Sequence, residues 1–198
     1  MVLGITGISG SGKHTSAEYF RKKGWVIIDT DSLAHYLYRP YTGAWKEISK
    51  QFGEKILNQD DTINRAKLGQ IVFNQADPEG AKEALAKLNS IIHPYIIRHV
   101  KNEIYMNKKR KSDIAVVSAL WQKFEKGICE KMLLVKAAPE LRSKRIISRD
   151  GINEQMYGMR IKNQEEPENP DFVIENNGSL LDLNKKLDEL FTRLTIKD

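Results

Sequence analysis

Short apolar runs alternate along this chain with longer stretches of helical period. Val2-Leu3-Gly4-Ile5-Thr6 is an apolar run that enters a glycine-rich loop and predicts a buried strand. A helix is expected from the end of that loop to about residue 23. Its last turn holds Arg21, Lys22 and Lys23, suited to the negative end of a helix dipole, and Gly24 is a stop signal. Trp25-Val26-Ile27-Ile28 predicts a second strand, and strand–helix–strand at this spacing predicts a parallel βαβ unit. Helices are expected over 32–39, ending before Pro40, over 43–52, ending at Gly53, and over 65–74, capped by Asn64 or Thr62. Another opens at Asp77-Pro78-Glu79 and reaches about 107, with Pro94 forcing a break or kink near His93. Residues 113–118, 131–137 and 171–175 predict three more strands, with a helix from Pro139 to about Arg149 and a second short helix carrying Arg160 between the last two. Leu180, Leu183, Leu187, Leu190 and Leu194 recur at helical spacing over 180–194, a stripe expected to be core. The sum is an α/β chain with a long helical stretch between its second and third strands.

Composition narrows this picture only a little. The chain has 198 residues, enough for one good core and a small inserted lobe. At 40% hydrophobic and 29% charged it has an ordinary soluble balance. Its single cysteine, Cys129, excludes an intramolecular disulfide and a cysteine-built metal site, and fits a reducing cytosol. No apolar run has the length of a membrane span, and the start of the chain lacks a signal-peptide pattern, so a cytoplasmic protein with no membrane partner is expected. A monomer is the favoured state. The net charge of +6 permits polyanionic partners. The run Lys108-Lys109-Arg110-Lys111 has no interleaved aromatic residue, so it reads as a solvated loop and no nucleic-acid partner is expected. No Asn-Lys-x-Asp guanine signature is present.

The chemistry concentrates in residues 7–15, Gly7-Ile8-Ser9-Gly10-Ser11-Gly12-Lys13-His14-Thr15. This is G-x-x-x-x-G-K between a strand and a helix, the setting in which that motif binds phosphate. Glycines let successive backbone N–H groups turn toward one point, the helix N-terminus adds positive partial charge, and Lys13 adds a full one. The residue after the lysine is normally Ser or Thr, whose hydroxyl holds Mg²⁺. Here it is His14, and Thr15 comes one place late, about 100° around the helix. Three readings stay open: a metal held through water and nucleotide, weakened catalysis, or binding that has outlived the chemistry. The second strand runs into Asp29-Thr30-Asp31, at the end where open parallel sheets bind ligands. In extended chain both carboxylates face one side, and one of them suits a general base. A cap on a helix starting at Ser32, by Asp31 or Thr30, is the structural alternative. Arg142, Arg145 and Arg149 share a helix face and Arg160 follows, an arrangement that suits a lid clamping a transferred phosphoryl group.

These landmarks, in order, resemble the dephospho-CoA kinase family over nearly the whole chain. The residues that carry the resemblance are Thr6 to Lys13; Trp25 to Asp31, similar to a strand ending in Asp-Ala-Asp; Phe52-Gly53; Asn64-Arg65 with Leu68; Val72-Phe73; and Ile91-Ile92-His93-Pro94. Ser143-Lys144-Arg145, Arg149-Asp150, Arg160 with Gln164, and Val173 to Gly178 complete the series. The resemblance implies a P-loop kinase-like three-layer α/β fold: a five-stranded parallel sheet, an inserted helical acceptor lobe and an Arg-bearing lid. It implies one domain over 1–198, with the core at about 1–31, 112–149 and 170–198, the lobe at about 32–111 and the lid at about 150–169. It implies transfer of the ATP γ-phosphate to the ribose 3′-hydroxyl of dephospho-CoA, with Mg²⁺ expected. Asp31 matches the proposed base. Lys13 and the loop residues Ser9, Gly10, Ser11, Gly12, His14 and Thr15 would hold ATP. Arg145 and Arg149 would neutralise the transferred group, Asn177 would lie near adenine, and Arg65 and His93 would face the acceptor with Asp31.

Two departures accompany the resemblance. His14 replaces the Mg²⁺-binding serine. Val116 to Gln122 stands where the family has a strand ending in Pro-Leu-Leu, an apolar residue and Glu, so Ser118, Ala119 and Gln122 replace Pro, Leu and Glu. Another small acceptor, or a nucleotide- or CoA-binding protein with impaired catalysis, therefore stays beside the kinase reading.

Overall fold

β1 (Val2–Thr6) is the middle strand of five in a wholly parallel sheet of order β2-β3-β1-β4-β5. The computed structural model describes residues 1–74, 76–119, 121, 127–162 and 164–196. The chain runs from β1 through α1 (Lys13–Lys22), β2 (Val26–Asp29), α2 (Thr30–Leu37), α3 (Gly43–Phe52), a 3₁₀ turn (Glu54–Ile56), α4 (Arg65–Val72) and α5 (Pro78–Lys109) to β3 (Ile114–Val117). β4 (Lys131–Lys136), α6 (Pro139–Asp150), α7 (Glu154–Ile161), β5 (Phe172–Glu175) and α8 (Leu180–Thr195) follow. The α/β fold with a five-stranded parallel sheet is as expected.

The chain divides into two units, Met1–Asp29 with Glu103–Asp198, and Thr30–Asn102. In the first, Ile5 pairs with Val117 on one side and Leu133 on the other. β1, β3 and the middle of β4 are buried on both faces, which is why they read as unbroken apolar runs. One face builds a core with Leu3, Ile5, Phe20, Trp25, Val117, Leu133 and the α8 residues Leu183, Leu187 and Leu190. On β1, Gly4 lies against the Trp121 ring, where an added Cβ would come within 2.7 Å of it. Full burial of each large apolar side chain contributes about 1.5–3 kcal/mol. The second unit is helical, with Leu33, Ile48, Phe52, Ile56, Leu68 and Leu88 buried. Asn64 caps α4 by accepting from the Lys67 N–H at 3.0 Å, and Thr42 caps α3.

Several expectations need correction. α2 begins at Thr30, so Asp31 lies within its first turn. It neither caps a helix at Ser32 nor continues an extended strand from Asp29. α5 continues through Pro94 for 32 residues, so the helix does not break there. Helical backbone around Pro94 is held by the rest of the long helix, which outweighs one lost N–H bond. Lys108 and Lys109 belong to its last turn rather than to a loop, with Lys108 bonded to Glu130 at 2.8 Å. The α8 stripe is core only in part, since Leu180 is 61% exposed at the first turn.

Candidate active site

The loop between β1 and α1 leaves the carboxyl edge of the sheet at its centre. Gly12 sits at φ 103°, a left-handed conformation that favours glycine, and among the described residues no side chain caps α1. The first-turn N–H groups that other helices satisfy with Ser or Asn are thus presented to an anion. Lys13, the first residue of α1, is 4% exposed.

Three side chains hold three consecutive loop residues. Gln164 accepts the Ser9 N–H at 2.8 Å and donates to Ser9 Oγ at 3.1 Å. Arg145 donates to the Gly10 carbonyl at 3.2 Å and to the Asn176 carbonyl at 3.1 Å. The buried Asn176 donates to the Ser11 carbonyl at 2.8 Å. A trans peptide sets C=O and N–H in opposite directions, so tying the Ser11 carbonyl to Asn176 aims the Gly12 N–H the other way. The packing leaves no room for side chains. A Cβ on Gly10 would meet the Arg142 carbonyl at 2.5 Å, and one on Gly12 would meet Asn176 Nδ2 at 2.3 Å. Ser11 Oγ, Thr6 Oγ1, Arg142 Nε on α6 and the Tyr157 hydroxyl on α7 are buried without a hydrogen-bond partner among the described residues.

His14 follows Lys13 on α1, with Nε2 3.6 Å from Asp29 Oδ1 at the end of β2. Thr15 is exposed. Asp31 is exposed in the first turn of α2. Arg149 forks its guanidinium onto Asp150 at 2.6 and 2.9 Å, and Arg160 reaches the same carboxylate. The Arg149 hydrogen bonds, joined by Arg160, hold the Asp150 carboxyl well below the usual carboxylate range against the opposing desolvation. Asn177 Oδ1 accepts the Ala138 N–H at 2.7 Å and so joins the β5–α8 turn to the start of α6. Arg65 opens α4 and opposes the burial-driven rise of the Tyr38 pKa, and His93 is half-buried within α5. Gln122 lies outside the described residues. Burial pushes the Cys129 thiol up to about 12.

Sequence reasoning missed Asn176 and Gln164 as loop supports. Asn176 had a usable signal, a polar residue directly after an apolar strand at the ligand edge. Gln164 had only its place among the family landmarks, because its partner is 155 residues away.

A parallel sheet with a glycine loop and a buried lysine at the central strand's carboxyl end defines a P-loop phosphotransferase of the α/β class. A sequence model of dephospho-CoA kinases matches residues 1–182. A dephospho-CoA kinase of Lactobacillus johnsonii is 35% identical over 97% of both chains, and one of Fusobacterium nucleatum is 37% identical over 95% of both. A solved Thermus thermophilus structure superposes with a TM-score of 0.74 at 27% identity, covering 98% of each chain. The chain belongs to the dephospho-CoA kinase family.

Proposed function

We propose that this protein transfers the γ-phosphate of ATP to the ribose 3′-hydroxyl of dephospho-CoA, giving CoA. The observation that carries the reading is the buried Lys13 opening an uncapped helix behind a braced glycine loop, in a chain of this family. Phosphoryl transfer asks little covalent chemistry of a protein, so positioning and charge do most of the work. The loop from Ser9 to Thr15 holds the ATP phosphates through its backbone, and Lys13 adds charge at the outer ones. Asp31 accepts the proton of the attacking hydroxyl, a contribution of roughly 10²–10⁴-fold. Arg145 braces Gly10 with one of its five N–H groups and the Asn176 carbonyl with another, and turns the remainder to the transferred phosphoryl. Arg149 reaches the nucleotide by exchanging its Asp150 partner as the segment at about 150–169 closes like a lid. Asn177 fixes the turn beside the adenine, while Arg65 and His93 bind the acceptor.

An ATP-using kinase implies Mg²⁺, which when bound offsets charge on the phosphate oxygens. Beside Lys13 the donors include the His14 imidazole and the Asp29 carboxylate. The carboxylate and water-mediated contacts fit a hard cation, while the imidazole takes the place of the usual hydroxyl. A cytoplasmic monomer goes with this reading, and size-exclusion chromatography with light scattering checks the monomer.

The test is CoA formation by mass spectrometry from purified protein, ATP, Mg²⁺ or Mn²⁺ and dephospho-CoA. The wild-type protein is expected to make CoA, and Lys13→Ala to fall by roughly 10²–10³-fold, the scale for losing one preorganised charge. No CoA from well-folded wild-type protein with either ion rejects the assignment.

A further inference from the structure

We infer that His14 and Asp29 together form a two-donor site that selects a first-row divalent transition ion, such as Mn²⁺ or Co²⁺, over Mg²⁺ as the cation accompanying the nucleotide. The inference rests on the kinase reading for the identity of the nucleotide, and on this chain's own residues for the metal.

The position comes first. His14 directly follows Lys13 in the first turn of α1, where phosphate loops of this kind offer a hydroxyl to Mg²⁺. Thr15 is one residue further, about 100° around the helix, so its hydroxyl does not replace the missing one.

The geometry comes second. His14 Nε2 and Asp29 Oδ1 stand 3.6 Å apart. That is too long for a hydrogen bond. Two donors on one ion with bonds of about 2.1 Å are about 3.0 Å apart when cis in an octahedron and about 3.4 Å in a tetrahedron. The observed spacing exceeds the tetrahedral bite by about 0.2 Å and the octahedral one by about 0.6 Å, so small side-chain shifts bring both donors onto one ion. Both side chains reach solvent, His14 at 44% and Asp29 at 23% exposure, so an ion can enter.

The chemistry comes third. Mg²⁺ is hard and gives up water reluctantly, and imidazole nitrogen is a poor exchange for it. First-row transition ions accept imidazole along with phosphate and carboxylate oxygen, with affinity rising from Mn²⁺ to Co²⁺. Replacing a serine oxygen by an imidazole nitrogen therefore shifts the preference of the site without altering the loop that holds the phosphates.

The experiment titrates Co²⁺, Mn²⁺ and Mg²⁺ into full-length protein saturated with a non-hydrolysable ATP analogue, in wild type and His14→Ser. The Co²⁺ complex is read by its visible d–d spectrum and by the paramagnetically shifted, exchangeable imidazole N–H resonance. The wild type is expected to show that resonance and His14→Ser to lose it. The Mn²⁺-to-Mg²⁺ affinity ratio is expected to fall at least about 10-fold in the variant, the lower end for disturbing a metal site. Identical spectra and an unchanged ratio overturn the inference. Thermal melts check folding, and His14→Asn repeats the comparison if the serine variant does not melt cooperatively. CoA formation measured in parallel separates the two readings. A shifted metal preference without CoA under any ion rejects the kinase reading and keeps the site, whereas CoA formation with an unchanged preference rejects the site alone.

Discussion

The phosphate loop and the helical unit Thr30–Asn102 carry their candidate binding residues in opposite ways. In the loop the backbone is the binding surface. It needs glycines where backbones and side chains crowd in, as at Gly10 and Gly12, a lysine at a fixed offset, and a helix start with no side-chain cap. Those needs are written in nearly consecutive residues. The helical unit has no such device. Asp31, Arg65 and His93 sit on α2, α4 and α5, each in an ordinary helical turn, and any selectivity comes from side chains brought together by packing. Where backbone binds, the sequence carries a signature. Where scattered side chains bind, it carries only residues.

The comparison breaks hardest at Asp31. Asp31→Asn is expected to lower kcat by roughly 10²–10⁴-fold while ATP-analogue affinity, measured by calorimetry, holds. Equal loss of ATP binding would move Asp31 to the nucleotide side. Next comes Arg65→Ala, expected to raise KM for dephospho-CoA by roughly 10–100-fold, the scale of a charged hydrogen bond, with KM for ATP unchanged. An ATP-only effect would erase the division of labour between the two regions.

On the loop side, Asn176→Ala leaves the buried Ser11 carbonyl without its partner. The expected cost is about 1–3 kcal/mol, or several degrees in Tm by calorimetry, with a parallel rise in KM for ATP. Gln164→Ala is expected to raise KM for ATP by roughly 2–10-fold and to leave the acceptor KM alone. The smallest effect belongs to Asp150. Its carboxyl is depressed, so the α6–α7 contact with Arg149 and Arg160 is fully present above the ordinary aspartate range. It weakens only as pH falls through the depressed value. Hydrogen exchange in residues 150–161 is expected to show unchanged protection between pH 5 and 8 after correction for the intrinsic rate, and Asp150→Asn to lower it.

The strands were legible because the middle of this sheet is buried on both faces, so β1, β3 and β4 appear as apolar runs. The loop was legible because phosphate is held by contiguous backbone, and the family because its landmarks keep their order from Thr6 to Gly178. The register of α2 was not legible. One residue decides whether Asp31 caps a helix or belongs to it, and local propensity is too weak to choose. Nor was the continuity of α5 across Pro94, since one proline's local preference is outweighed by 32 residues of helix. Gln164 on Ser9, Arg145 on Gly10, Asn176 on Ser11 and His14 beside Asp29 all join residues distant in the chain. What the sequence determined by itself is the set of groups whose function needs only neighbours: the apolar runs, the glycine loop and its lysine. What the tertiary structure decided is which side chains brace that loop and what stands beside His14, because a hydrogen bond or donor pair between distant residues exists only once packing has brought them within a few ångströms.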